Sequence, residues 1–140
     1  MITFIPTVKK NPITKQSKWY AQMAPVTPLQ LEDIAEKIAA SCTVTEHDIK
    51  AVLSALQEQV LFALRDGNSV RLGDLGSFRL TLSGRPCETA DEVTADTIEH
   101  LRVRFTMSSR LRSRLAVGQQ GVRFVRKGDV AESEPEPVEP

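Results

Sequence analysis

The side chains of this sequence that are best suited to a chemical role are arginines that alternate with apolar residues. Successive side chains of a β-strand point to opposite faces, so such arginines share one face of a sheet while the valines, leucines and phenylalanines between them share the other. A guanidinium stays charged and donates several hydrogen bonds to phosphate oxygens. The alternation therefore predicts a sheet face that contacts a polyanion. Its four arginines are Arg71, Arg79, Arg102 and Arg104.

The same sequence offers little for catalysis. His47 and His100 lie far apart, with neither a cysteine nucleophile beside them nor the i, i+4 spacing of metal ligands on a helix. Gly73-Asp-Leu-Gly76 lacks the Gly-Lys-Ser/Thr ending of a phosphate loop. Cys42 and Cys87 have no partner spacing for a metal or a redox motif, which favours small buried or incidental thiols. We therefore expect no enzyme activity, no cofactor and no metal.

The charges are segregated along the chain, although the formal net charge is zero. All 18 lysines and arginines fall within residues 1–128, together with 13 acidic residues, which gives this part a charge of +5. Residues 101–127 contain eight basic residues and residues 1–31 contain four lysines, both without an acid. This bias favours a polyanion-binding surface over an ordinary solvated face. Residues 129–140 hold the other five acids among prolines and are predicted to be a disordered acidic tail.

Two helices are indicated before the arginine pattern begins. Thr27 followed by Pro28 and Gln30 predicts a helix start, and the first helix should end at about Ser41. Thr45 followed by Asp48 predicts a second start, and Gly67 offers a C-terminal cap. The apolar stripe of this second helix is wider than one short helix and three strands can cover. Part of it is expected to meet a partner subunit.

The arginine pattern itself predicts three strands and a last helix. Glycines in Gly73-Asp-Leu-Gly76 allow a tight reversal between two alternating segments, residues 70–72 and 78–82. Residues 101–106 alternate in the same way and predict a third strand. Ser108 or Ser109 can cap a final helix. That helix would hold Leu111, Leu115, Arg110, Arg112 and Arg114.

Weaker patterns flank this central part. Residues 3–8 and 18–23 resemble the two arms of a hairpin around Asn11-Pro12, and residues 122–125 resemble a short strand. The expected organisation is an N-terminal extension over residues 1–26, a central domain over residues 27–116, a C-terminal strand within residues 117–128 and the acidic tail.

The order of elements over residues 27–115 resembles the HU and integration-host-factor family of bacterial histone-like proteins. The segments that carry the resemblance are Leu31-Glu-Asp-Ile-Ala-Glu-Lys-Ile-Ala39, Asp48-Ile-Lys-Ala-Val-Leu-Ser-Ala-Leu56, Val70-Arg-Leu-Gly-Asp-Leu-Gly-Ser-Phe78, and Val103-Arg-Phe105 leading to Leu111. The flanks are similar to a longer HU variant of Bacteroidetes-type bacteria. The resemblance implies an α+β, HU-like (IHF-like) fold, an intertwined homodimer with a three-stranded saddle sheet, and DNA lying against that saddle.

One segment departs from the family pattern. In HU the excursion between the second and third strands is a basic β-arm with an Arg-Asn-Pro tip, whose proline wedges between base steps. Residues 83–100 here contain five acids and only Arg85. Arg85-Pro86 lies at the base of the excursion, where a turn proline is the ordinary interpretation. An acidic arm is repelled by phosphates, so non-specific backbone contact is expected in place of strong kinking.

The function expected from the resemblance and the charges is sequence-tolerant, histone-like binding and condensation of double-stranded DNA by a homodimer in the cytoplasmic nucleoid. The alternative is a dimeric protein-interaction module that keeps the fold and uses its acidic arm toward a protein. Residues 1–10 lack the pattern of a signal peptide, and no apolar run approaches the ~18 residues of a membrane span. The residues expected to contact DNA are Arg71, Arg79, Arg85, Arg102, Arg104, Arg110, Arg112 and Arg114.

Overall fold

The computed structural model describes residues 1–128, and the predicted acidic tail lies outside these residues. The described chain forms two compact units. Residues 29–114 make up one unit, here called the central unit, and residues 1–28 with the described residues from 115 onward make up the other, the terminal unit. The helices and strands, in chain order, are β1 (Ile2–Lys10), β2 (Ser17–Met23), α1 (Leu31–Ser41), α2 (Glu46–Arg65), β3 (Val70–Arg71), β4 (Gly76–Gly84), β5 (Ile98–Met107), α3 (Ser109–Arg114) and β6 (Phe124–Arg126).

Helix α1 begins later than the sequence predicted. Its N-cap residue is Gln30, and Thr27 lies outside the helix, so the prediction of a Thr27 cap was wrong. The physical reason is Asp33, whose Oδ2 accepts a hydrogen bond of 2.8 Å from the backbone N–H of Gln30. A carboxylate in the first helical turn that bonds back to the cap residue fixes the helix start there. The predicted end at Ser41 is confirmed.

Both predicted ends of α2 are confirmed. Thr45 is the N-cap residue, and its Oγ1 accepts a hydrogen bond of 3.3 Å from the backbone N–H of Asp48. At the other end Gly67 has a φ of 84°, a left-handed conformation that glycine adopts without steric cost. The N–H groups of Gly67 and Asn68 donate to the carbonyls of Leu64 and Ala63, both at 3.0 Å. These two bonds form a Schellman cap, which stops the helix before β3.

The central sheet has the order β3-β4-β5, and both strand pairs are antiparallel. The predicted glycine turn is present between β3 and β4, where the N–H of Leu72 donates to the carbonyl of Gly76 at 2.8 Å. The final helix α3 is capped by Ser108, whose Oγ accepts a hydrogen bond of 3.0 Å from the backbone N–H of Leu111. The helix ends at Arg114, one residue before the predicted member Leu115.

The terminal unit contains a second sheet with the order β2-β1-β6. Strands β1 and β2 form an antiparallel hairpin, and β6 pairs with β1 in the parallel direction. This parallel pairing brings Ile2 opposite Phe124, although the two residues lie at opposite ends of the described chain. The two strand patterns that the sequence showed separately, in residues 3–8 and 122–125, therefore belong to one sheet.

Few apolar side chains of the central unit are fully buried. Ala35, Ile49 and Leu64 form its buried apolar core. On α2, by contrast, Leu56 is 43% exposed and Phe62 is 49% exposed. One copy of the chain thus leaves much of the apolar stripe of α2 in contact with solvent. Within residues 1–128, no helix is both long enough and apolar enough to cross a membrane.

Candidate nucleic-acid interface

The register of the central sheet decides which side chains share a face. Arg79 lies directly opposite Arg104, Thr81 opposite Arg102, and Arg71 opposite Ser77. Residues that oppose each other across two strands point to the same side of the sheet, and residues two apart along a strand do so as well. The four arginines of the sequence pattern therefore lie on one face, which we call the arginine face and define by Arg71, Arg79, Arg102 and Arg104.

The other face of the same sheet is apolar. Val70 and Phe105 both oppose Phe78, and Leu80 opposes Val103. The rings of Phe78 and Phe105 are in contact, with their centroids 5.0 Å apart. Val103 and Phe105 are nevertheless 55% and 51% exposed in the single chain. The sheet thus separates a charged surface from an apolar one that is only partly covered.

The arginine face is electrostatically unbalanced. All four of its arginines are exposed. The ion pairs found within residues 1–128 are Lys50–Glu46 and Arg110–Asp74, so no described carboxylate neutralises the arginine face. Like charges that stand directly opposite each other on two strands destabilise a sheet by a few tenths to about 1 kcal/mol, and Arg79 and Arg104 form such a pair. A bound anion would relieve this repulsion.

Hydroxyl groups that the sequence analysis did not single out lie beside these arginines. An open cleft of ≈ 390 Å³ is lined by Arg71, Ser77, Thr106 and Ser109, among others. Ser77 opposes both Arg71 and Thr106 in the sheet, which places all three on the arginine face. Serine and threonine hydroxyls donate to phosphate oxygens in protein–DNA contacts. The alternation of Ser77 with Phe78 and of Thr106 with Phe105 was the signal that could have identified them.

The arginines predicted on the last helix are arranged differently from those on the sheet. Arg110 Nη1 lies 2.7 Å from Asp74 Oδ2, and this ion pair joins α3 to the glycine turn. The Oγ of Ser108 also donates to the carbonyl oxygen of Asp74. Arg110 therefore holds the turn in place. Arg112 and Arg114 are exposed near the end of α3.

Arg85 follows the last residue of β4, Gly84, and does not belong to the arginine face. Its backbone N–H donates to the carbonyl of Thr97 at 3.0 Å, which closes the excursion at its base. The residues between them form two short 3₁₀ turns, Ala90–Glu92 and Ala95–Thr97, and no β-arm. The buried Thr97 hydroxyl donates to the carbonyl of Thr94 at 2.7 Å, which stabilises the second of these turns.

Comparison with known proteins identifies the architecture. A family model described as an HU domain fused to a wHTH, Ig or glycine-rich motif matches residues 3–120. The chain belongs to this HU family. The HU-type protein expected from the sequence is thereby confirmed. A search of curated proteins gave no match.

Two solved structures share the fold. One is a protein of Bacteroides vulgatus ATCC 8482, provisionally described as a bacterial DNA-binding protein, with 17% identity and a TM-score of 0.62 over 90% of this chain and 48% of that one. The chain thus spans about half the length of the Bacteroides protein. The other is Anabaena HU in a cocrystal with DNA, with 20% identity and a TM-score of 0.50 over 64% of this chain and 99% of that one. At these identities the likeness concerns the fold of the HU domain.

No group of three or more His, Cys, Asp or Glu residues in residues 1–128 is placed to hold a metal ion. Cys42 is exposed and Cys87 is partly buried, and both are free thiols. The arrangement with the clearest chemical capacity in the central unit is therefore the arginine face with its neighbouring hydroxyls.

Proposed function

We propose that this HU-family protein binds double-stranded DNA with little sequence preference, as a nucleoid-associated architectural protein, and that the arginine face contacts the phosphates. The observation that carries the proposal is the register of the central sheet. It gathers four exposed arginines on one face, without a carboxylate partner among the described residues. Membership of the HU family and the fold shared with the Anabaena HU that was crystallised with DNA support the same ligand. The role is structural and involves no catalysis.

Contact with the DNA backbone explains why little sequence preference is expected. Phosphate contacts position a protein on the duplex, whereas base edges in the grooves carry the sequence information. The arginines of the arginine face stand on strands, and α3, with six residues, presents no Asn or Gln to bases. The excursion, which holds five acids and two 3₁₀ turns, is repelled by phosphates. The proposed binding is therefore electrostatic, with the minor groove as the side that faces the sheet.

The active form that we propose is a homodimer. The stripe of α2 and the apolar face of the central sheet both include side chains that are about half exposed in one copy, among them Leu56, Phe62 and Phe105. Contiguous apolar surface of this kind marks a protein interface. A second copy of the same chain would bury it and would place two arginine faces in one particle.

The test is a double substitution of the opposed pair, Arg79→Gln with Arg104→Gln. Each phosphate contact contributes about −0.9 to the slope of log affinity against log salt. Because the proposed dimer carries two copies of each arginine, the slope should become shallower by about two per copy and about four for the dimer. Affinity for random duplexes at low salt should fall by roughly tenfold or more, and equally on all sequences. Fluorescence anisotropy with labelled duplexes at several salt concentrations measures both quantities.

A matched control separates the arginine face from net charge. Lys37→Gln with Arg65→Gln removes the same two charges from α1 and α2 and should leave the slope unchanged within error. Thermal unfolding of the Arg79/Arg104 variant should show equal or greater stability than the parent, because the like-charge pair is gone. An unaltered salt slope in a folded Arg79/Arg104 variant would overturn the assignment of phosphate contacts to the arginine face, and failure of the parent protein to bind DNA at low salt would favour the protein-interaction alternative.

A further inference from the structure

The division into two units reveals where the positive charge of the protein is concentrated. The central unit contains 11 basic and 13 acidic residues, so its arginine face is a local feature of a slightly acidic body. The described residues of the terminal unit contain seven basic residues and no acid. They are Lys9, Lys10, Lys15, Lys18, Arg123, Arg126 and Lys127. A small sheet with this charge attracts polyanions strongly.

Four of these charges lie at one end of the β1–β2 hairpin, which we call the lysine end and define by Lys9, Lys10, Lys15 and Lys18. In the register of the hairpin, Lys9 lies directly opposite Lys18. Both side chains are exposed, and they share a face of the sheet. This arrangement repeats, in the second sheet, the opposed pair of Arg79 and Arg104. In each sheet, two like charges face each other across antiparallel strands without an acidic partner in the described chain.

The lysine end is held by an ordered loop. Asn11 Oδ1 accepts a hydrogen bond of 2.9 Å from the backbone N–H of Ile13, and the carbonyl of Asn11 accepts one of 2.9 Å from the N–H of Lys15. The ammonium of Lys9 lies 5.6 Å from the centroid of the Tyr20 ring, within the range of a cation–π contact. The loop and the strand ends line an open cleft of ≈ 660 Å³ that includes Lys9, Lys10 and Lys18. The cleft thus brings three lysines of the lysine end together around one open surface.

We propose that the lysine end is a second phosphate-contact site for duplex DNA, separate from the arginine face. An ammonium is a compact point charge that binds phosphate without a planar, bidentate geometry, which suits contact with a backbone whose orientation varies. A phosphate placed between Lys9 and Lys18 would remove the repulsion that their register imposes. The proposal shares its ligand with the proposed function but depends on different residues in a different sheet.

The experiment uses the full chain and the double substitution Lys9→Gln with Lys18→Gln. The slope of log affinity against log salt for a random duplex should become shallower by about two per copy of the chain, or about four for the proposed dimer, and affinity at low salt should fall by roughly tenfold or more. The Lys37→Gln and Arg65→Gln variant again serves as the control for net charge.

The failure of this proposal can be distinguished from failure of the proposed function. If only the lysine substitutions weaken DNA binding, the lysine end is supported and the arginine face is not. If only the Arg79/Arg104 substitutions weaken it, the lysine end is not a DNA site and this inference is wrong. When both pairs contribute, the quadruple variant should lose more affinity than either double variant. Binding to vesicles of anionic phospholipid that depends on Lys9 and Lys18, without such dependence for DNA, would also overturn the proposal.

Discussion

Replacement of Leu56 by Asp is expected to dissociate the protein and to unfold it at the same time. Burying an unpaired carboxylate costs several kcal/mol, which is comparable with the whole stability of a small domain. Sedimentation or multi-angle light scattering should show loss of the dimer, and far-UV circular dichroism should show loss of helix. This prediction has the largest expected effect, because it concerns the proposed dimer interface and the folding of the chain together.

The exposure of Leu56 makes this experiment informative. The side chain is 43% exposed in a single copy of the chain, and an aspartate at such a position in a monomer would keep much of its contact with water. A severe effect therefore requires that a second copy covers the site. Gln57→Asp, at the next position of α2 and also exposed, introduces the same charge and should change stability by no more than about 0.5 kcal/mol. A stable parent monomer at micromolar concentration, or a well-folded Leu56→Asp variant, would contradict the homodimer.

The parts of the fold that were predictable from sequence depend on local chemistry. The Thr45 cap and the Gly67 stop of α2 depend on residues within one helical turn, and both are present. The arginine face was likewise predictable, since alternation fixes the side of a strand on which each side chain lies. The first cap was predicted at Thr27 because Thr, Pro and Gln form a familiar start. The helix instead starts after Gln30, because the Asp33 carboxylate accepts a hydrogen bond from the backbone N–H of Gln30.

The remaining features depend on residues that are distant in the sequence. No periodicity indicates that β6 pairs with β1, because the pairing joins residues more than 100 positions apart and depends on the tertiary fold. Arg110 and Asp74 form an ion pair although they lie 36 positions apart in the sequence. Arg110, which was predicted to bind DNA, thus makes a structural contact. The opposition of Lys9 to Lys18 depends on the exact hairpin register, which the weak pattern around Asn11 did not determine.

Substitution of Gly76 by Ala is the second prediction with a large effect. Gly76 is buried at the start of β4 and has a φ of 153°, which L-residues with a side chain rarely adopt. An added Cβ would overlap the carbonyl oxygen of Thr106 and would lie 2.7 Å from the ring of Phe105. Backbone strain and overpacking each cost about 1–3 kcal/mol, so a loss on the order of 4 kcal/mol is expected. Urea unfolding followed by circular dichroism measures this loss.

Gly73→Ala is the matched control for this substitution. Gly73 belongs to the same turn and has a φ of 55°, but an added Cβ would meet nothing within 4 Å. Its substitution should cost only the left-handed strain of about 1–2 kcal/mol. The difference between the two alanines therefore reports mainly the close approach of β5 to Gly76. Equal losses of stability in the two variants would show that β4 and β5 do not approach each other in this register.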